Sequence, residues 1–180
     1  MYIYIHKTCG GYFMGFSPRA DFAFKKLTDI SPDFLKSRGL RLLLLDLDNT
    51  IAPYTVKAPE NGVISWAEKL KSEGIELFIV SNNRKTERVR SFSKILGINW
   101  INKAGKPAVR GILEAMRRCR ARPEETALAG DQSYTDVLGA NLAGITPILV
   151  EPISLKNPLL AVRYILELPF RAVHKEKYGK

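Results

Sequence analysis

Asp46 and Asp48 stand two residues apart at the end of Leu42-Leu43-Leu44-Leu45, an unbroken apolar run, and are followed by Asn49 and Thr50. Residues at i and i+2 of an extended chain face the same way, so these two carboxylates could reach opposite sides of one phosphoryl group. Acids just past a buried strand also suit a hard cation, because Mg²⁺ takes one or two carboxylates together with substrate phosphate oxygens. The same residues are ordinary turn chemistry too, since Asp, Asn and Thr bond readily to nearby backbone. Three further segments weigh against that plainer account. Leu77-Phe78-Ile79-Val80 runs into Ser81-Asn82-Asn83, Lys106-Pro107 precedes an amphipathic segment, and Ala127-Leu128-Ala129-Gly130 ends in Asp131, with Asp136 five residues on. A hydroxyl and an amide can hold phosphoryl oxygens, a lysine can neutralise their charge, and further carboxylates can complete a magnesium site. Each element is weak alone. In this order they form a constellation for phosphoryl transfer.

The elements that must position these residues follow from the hydrophobic pattern. Continuous apolar runs before polar loops read as strands buried on both faces of a parallel sheet, whose ligands bind outside the carboxyl ends. Further strands are expected over 75–80, 98–101, 126–129 and 145–150, with Pro147 arguing for an edge position in the last. Helical stripes lie between them: Val63, Ile64, Trp66, Ala67 and Leu70; Val89, Phe92, Ile95 and Leu96; Val109, Ile112, Leu113 and Met116; and Val137, Leu138 and Leu142. Gly74 and Gly97 stop the first two, and Pro107 suits the first position of the third. Ser31-Pro32-Asp33 opens a short helix that Gly39 ends. This β-α alternation predicts an α/β fold, a Rossmann-like three-layer domain with a parallel sheet and right-handed crossovers. Residues 41–150 form the expected core, 1–40 an N-terminal extension with a short helix, and 151–180 a basic amphipathic tail. No internal repeat or second domain is visible.

The motif set resembles the haloacid dehalogenase superfamily of phosphohydrolases. The first motif, apolar residues then Asp-x-Asp-x-Thr, is read in Leu42 to Thr50; the second motif's hydroxyl in Ser81; the third's lysine in Lys106; and the fourth, Gly-Asp-x-x-x-x-Asp, in Gly130 to Asp136. The Asp-Leu-Asp-Asn-Thr signature, Ser-Asn-Asn and the size resemble more narrowly the YqeG-type branch, subclass IIIA, which includes the phosphatidylglycerophosphate phosphatases of mitochondria and plastids. The resemblance implies Asp46 as nucleophile of an aspartyl-phosphate route and Asp48 as general acid, then base. It implies Mg²⁺ held by Asp46, Asp131 and the carbonyl of Asp48, with Asp136 acting through water or a neighbour. Ser81, Asn82 and Lys106 would stabilise the transferring group, while Asn49 and Thr50 shape the turn. Dehalogenase relatives lack the second acid, so Asp48 points to phosphate chemistry. Receiver domains use similar residues, but with the acidic pair after the first strand and the phosphoacceptor after a middle one, and the order here favours the hydrolase.

The branch implies dephosphorylation of phosphatidylglycerophosphate to phosphatidylglycerol at the cytosolic membrane face. A soluble phosphosugar, nucleotide or phosphoprotein is the alternative substrate, and an RNA- or ribosome-binding protein with a vestigial site the alternative class. Superfamily members acting on small metabolites often carry a cap domain. Here only 51–59 separates Thr50 from the next helix, and the 23 residues between Asn82 and Lys106 are filled by a helix and a short strand. An uncapped, open site suits a bulky substrate or closure by a partner.

Composition narrows the classes further. At 180 residues and 46% hydrophobic content the chain reads as one globular domain. Cys9 and Cys119 are too few and too far apart for a disulfide framework or a zinc cluster, which favours a reducing, cytoplasmic setting. No window reaches the ~18 apolar residues of a spanning helix, and Gly10-Gly11 interrupts the N-terminus before a signal-peptide core forms. The net charge of +10 speaks to anionic partners or a solvated surface. Its densest run, Arg117, Arg118, Arg120 and Arg122, falls where cations favour a helix C-terminus. In the tail, Leu159, Leu160, Val162, Ile165 and Leu166 share one helical face and Arg163, Glu167 and Arg171 another, before Lys175, Lys177 and Lys180. Such a helix can pack on the sheet or lie in a membrane interface, joined there by Tyr2, Tyr4, Tyr12, Phe13 and Phe16.

Overall fold

The computed structural model describes residues 17–172. Six strands form one all-parallel sheet: β1 (Phe22–Phe24), β2 (Leu42–Leu45), β3 (Glu76–Val80), β4 (Asn99–Ile101), β5 (Thr126–Gly130) and β6 (Thr146–Val150), in the order β1-β6-β5-β2-β3-β4. The helices are α1 (Pro32–Lys36), α2 (Asn61–Ser72), α3 (Thr86–Leu96), α4 (Arg110–Arg118), α5 (Leu138–Leu142) and α6 (Pro158–Ala172). The apolar runs are explained by burial on both faces. Leu43 and Leu45 pack with Trp66, Leu70, Val89 and Phe92 on one side of the sheet. Leu42 and Leu44 pack with Ile112, Ala115, Met116 and Ala140 on the other. The three-layer α/β architecture and the absence of a cap follow the sequence closely.

Local signals set the boundaries. Ser31 caps α1 by accepting the Phe34 N–H at 3.1 Å, with Pro32 in the first turn. Gly97 ends α3 in the left-handed region at φ 63°. Ser133–Val137 is a widened π-type turn that leads directly into α5.

The structure departs from the sequence expectations in three places. Pro147 does not mark an edge: β6 lies between β5 and β1. Its carbonyl accepts the Asp21 N–H at 3.0 Å. In an extended residue the N–H would point the same way, toward the start of β1 where pairing has only begun, so little is lost by its absence. Next, β1 arises within the segment expected to be only an extension with a helix. Finally, α4 begins at Arg110 rather than at Pro107, because 105–109 forms a turn, with a cis Lys106–Pro107 peptide and an Ala108 N–H bond to the Gly105 carbonyl.

The basic run lies around the end of α4, and three of its four arginines are paired within the chain. Arg117 and Arg118 share Glu114, and Arg122 pairs with Glu124 and Glu125. No helix among the described residues is long and apolar enough to cross a membrane. Cys9, the N-terminal aromatics named above and Lys175, Lys177 and Lys180 lie outside the described residues.

Candidate functional site

Three neighbouring central strands, β5, β2 and β3, end side by side, and each delivers one polar residue. Asp131 follows β5, Asp46 follows β2 with its N–H on the Ala129 carbonyl at 2.9 Å, and Ser81 follows β3. All three are at least nine-tenths buried. Parallel strands in register bring such residues together although they are far apart in sequence, which is why this edge of an open sheet gathers ligands.

Lys106 enters from the loop before α4. Its ammonium lies 2.7 Å from Asp46 Oδ1 and 2.7 Å from Asp136 Oδ1. Its backbone is held on both sides by one residue: the Lys106 N–H donates to Asn82 Oδ1 at 2.8 Å, and Asn82 Nδ2 donates to the Lys106 carbonyl at 2.9 Å. The side-chain amide of Asn82, expected on the phosphoryl group, is therefore engaged with the lysine's backbone. Asp136, expected at a remove, is in the cluster itself. A Cβ on Gly130 would overlap the Asp136 carboxyl, so glycine at that position is what lets Asp136 fold back over the strand end.

Carboxylate oxygens of Asp46, Asp131 and Asp136 all lie within 4.8 Å of one another. Three acids around one ammonium leave excess negative charge where water is largely excluded. Burial raises the Asp46 carboxyl to about 7 against the pull of Lys106, with Asp136 and Asp48 adding to the rise. Burial, then Asp136 and Asp46, raise Asp131 well above the ordinary carboxylate range. Burial alone would lower the Lys106 ammonium, but Asp136 and Asp46 outweigh it and hold the lysine charged. Asp46 Oδ2 is buried without a hydrogen-bond partner. An orphaned oxygen within a cluster of acids is the donor set a hard divalent cation takes, so these residues fit a metal.

Asp48 points away from that cluster. Its Oδ1 accepts from Arg88 Nε at 2.9 Å and its Oδ2 from Asn83 Nδ2 at 2.6 Å. Arg88 also donates to the Pro53 carbonyl at 2.8 Å and to that of Val56, tying the loop after β2 to the start of α3. Asn83 belongs to the Ser-Asn-Asn motif, but its bond to Asp48 is not visible in the sequence, nor is the role of Arg88, because an arginine in the first turns of an exposed helix looks like a solvated side chain. Ser81 Oγ accepts the Asn83 N–H at 3.0 Å. Asn49, at φ 66°, shapes the turn: its Nδ2 donates to the Ser154 carbonyl at 2.7 Å. Thr50 Oγ1 lies 3.4 Å from Asp131 Oδ1. Tyr54, half exposed, faces the acids; burial and then Asp48, Asp46 and Asp131 push its phenol up to about 12.

The C-terminal helix closes the far side. Arg171 donates to the Asp131 carbonyl and, at 3.2 Å, to Glu151 Oε2. Glu167 Oε2 accepts the Ser133 N–H at 2.9 Å, at the head of the turn that carries Asp136. The sequence placed both on a common helical face but not over the Gly130-Asp131 loop. A cavity of about 350 Å³ elsewhere, lined by Lys71, Glu76 and Ile98 among others, opens at the opposite edge of the sheet and holds no such cluster.

Comparison with known proteins identifies the family. The sequence profile of the haloacid dehalogenase-like hydrolases matches residues 29–144. The chain is 39% identical over 130 residues to the Bacillus subtilis protein named Probable phosphatase YqeG, covering 72% of this chain and 75% of that one. It is 33% identical over 90 residues to a glyceraldehyde 3-phosphate phosphatase of Methanothermobacter thermautotrophicus, covering 45% and 39%. It is 23% identical over 152 residues to phosphatidylglycerophosphate phosphatase 1 of Arabidopsis thaliana, covering 80% of this chain and 44% of that one. Among solved structures, 3-deoxy-D-manno-octulosonate 8-phosphate phosphatase of Yersinia pestis shares the fold, with a TM-score of 0.51 and 17% identity over 82% of this chain and 89% of that one.

Proposed function

This chain belongs to the haloacid dehalogenase-like hydrolases and is a phosphatase, and from that premise we propose a Mg²⁺-dependent phosphomonoesterase acting on phosphatidylglycerophosphate at a membrane face. The observation that carries the chemistry is Asp46: a buried carboxylate with one oxygen on Lys106 at 2.7 Å and the other without a partner. Asp46 is the nucleophile. Its carboxylate oxygen attacks phosphorus, the ester bond breaks, and the departing alkoxide takes a proton from Asp48. Asp48 then accepts a proton from the water that hydrolyses the aspartyl-phosphate. Arg88 and Asn83 hold the Asp48 carboxylate in place between these steps. Lys106 and Ser81 face the phosphoryl oxygens, and Asp136 and Asn82 keep the lysine aimed. Asp46, Asp131 and the carbonyl of Asp48 would hold Mg²⁺, which when bound would supply positive charge to offset the clustered acids and the phosphoryl group.

The lipid substrate is supported by the likeness to the Arabidopsis enzyme and by the lack of a cap over the strand ends. The likeness to the archaeal glyceraldehyde 3-phosphate phosphatase favours a second reading, a small soluble phosphomonoester. A nucleic-acid role has less support, because much of the densest basic run is already paired with Glu114, Glu124 and Glu125. The test is phosphate release from phosphatidylglycerophosphate in mixed micelles, from glyceraldehyde 3-phosphate and from a phosphopeptide, each with and without Mg²⁺. The expected result is Mg²⁺-dependent release with the highest kcat/KM on the lipid. A higher value on the sugar phosphate moves the assignment to the second reading, and activity indifferent to Mg²⁺ removes the cation.

A further inference from the structure

α6 is amphipathic in the reverse sense. Its polar residues Glu167 and Arg171 are turned inward and buried against the Gly130-Asp131 loop, while its aliphatic stripe faces outward. Leu159 is 77% exposed, Val162 55%, Ile165 61% and Leu166 64%. Pro158 and Pro169 are exposed on the same side, so this face carries no charge. The loop entering α6 adds exposed Ile153 and Leu155. Leaving such a set in water gains nothing on folding, and a contiguous apolar face on a folded chain marks a contact surface.

We propose that this face docks on an anionic lipid bilayer, with α6 lying in the plane of the headgroup–acyl boundary. Three observations favour a bilayer over other occupants. The stripe is flanked by cations: Lys156 is exposed just before α6, and Lys175, Lys177 and Lys180 follow its end in the sequence. Apolar residues on one side with basic residues at the ends are the chemistry of an interfacial helix, and at 15 residues α6 lies on a membrane rather than through it. A symmetric pairing of two copies through this face would set two chains of net charge +10 against each other, which repulsion opposes, whereas anionic lipid favours a basic chain. Last, the face is continuous with the site. Leu155 of this face, with Leu160 and Arg163 behind it, lines a small gap of about 10 Å³ that Asn49 and Asp131 also line, and Asn49 holds the loop through Ser154. Docking through α6 would thus hold the Asp131 end of the site close to the bilayer surface. The proposal deepens the lipid-substrate reading, and the docking itself does not depend on which phosphate is cleaved.

The test is sedimentation of the full chain with vesicles of pure phosphatidylcholine and with vesicles containing phosphatidylglycerol, beside turnover of a soluble aryl phosphate. The wild type should bind the anionic vesicles, bind the neutral ones weakly, and be released by salt. The triple variant Leu159→Ser, Val162→Ser, Leu166→Ser should bind at least about tenfold more weakly while its aryl phosphate turnover is unchanged. Binding by the triple variant equal to wild type overturns the proposal, as does a wild type that ignores anionic vesicles at low salt. So does a wild type that is a dimer made monomeric by the substitutions, since a second copy would then cover the face. So does anionic-vesicle binding gained only when residues 1–16 are deleted, since that segment would then be the occupant. Vesicle binding without hydrolysis of phosphatidylglycerophosphate leaves the docking surface standing and sinks only the substrate assignment.

Discussion

The strand ends and the C-terminal helix sort polar and apolar residues in opposite ways. At the strand ends, Asp46, Asp131, Asp136 and Lys106 are buried behind an apolar sheet; on α6, five aliphatic side chains stand in water while Glu167 and Arg171 are buried. Each region contradicts the usual partition of residue types, and both do so around the same point, the Gly130-Asp131 loop. The contrast teaches that the loop is held by polar groups from two directions, and that the face left over on α6 is available for something else. Buried charge gathers at the strand ends, where the proposed chemistry would use it, and apolar area stays exposed on α6, where the proposed docking would use it.

The largest effect tests the strand-end half. Asp46→Asn should lower turnover about a thousandfold or more, because the amide cannot form the covalent intermediate. The fold should stay intact, since the change removes one charge from a crowded set of acids. Near-wild-type hydrolysis of any good phosphomonoester by this variant would remove Asp46 from the mechanism.

Lys106→Met comes next and separates charge balance from packing. The methionine fills similar volume but strands Asp46 and Asp136 without their cation. Breaking one partner out of a buried ionic set costs about 3–5 kcal/mol, so the melting temperature at neutral pH should fall markedly and activity should vanish. The loss should shrink at pH 5, where the carboxyls regain protons. A variant as stable as wild type at both pH values would mean the cluster is more hydrated than its burial implies.

These two residues were also the legible part of the chain. Acids following unbroken apolar runs can be read directly, because a parallel sheet buries both faces of its strands and puts loop residues at one edge. The partners of Asn82, Arg88 and the inward face of α6 were not legible, for one physical reason: they are backbone carbonyls, N–H groups and a carboxylate from distant segments, which leave no periodic trace. Pro147 misled because a rule about missing donors depends on which neighbour the donor would have met. The three-residue β1 was too short to show a pattern at all.

Arg171→Ala probes the link between the two regions. It removes the guanidinium from the Asp131 carbonyl and from Glu151 while touching no reacting atom. Partners that orient a ligand residue are worth about 10–100-fold in metal affinity or activity, so the Mg²⁺ needed for half-maximal rate should rise about tenfold, and Arg171→Lys should recover part of it. An unchanged Mg²⁺ titration with lowered stability would reduce Arg171 to a packing role.

A smaller effect should appear in the dependence of stability on pH. Asp46 rises from 3.8 to about 7 on folding and Asp131 rises with it. Between those values the folded state binds more protons than the unfolded one, so stability falls as pH increases through that window. In chelator the melting temperature should therefore drop by a few degrees (~4 °C) from pH 5 to pH 7.5. Added Mg²⁺ should raise it more at pH 7.5, where the acids are ionised and bind cation best. Equal stabilisation at both pH values would place the ion away from these carboxyls.

The smallest effect belongs to the outer face of α6. Leu159 is 77% exposed, so Leu159→Ser removes little contact from the folded chain, and surface changes of this kind stay within about 0.5 kcal/mol. Measured by denaturant midpoint in the absence of lipid, the variant should match wild type. Glu167→Ala, eight residues further along the same helix, should not, because it leaves the buried Ser133 N–H without its acceptor and takes from Arg171 one of its two carboxylate neighbours. Loss of an acceptor from a buried donor costs about 1–3 kcal/mol. If both substitutions destabilise the chain equally, α6 has no outer face in solution and the contrast between the two regions collapses. If only Glu167→Ala does, the helix is fixed from its polar side alone, and its aliphatic side is held in reserve for a surface beyond the chain.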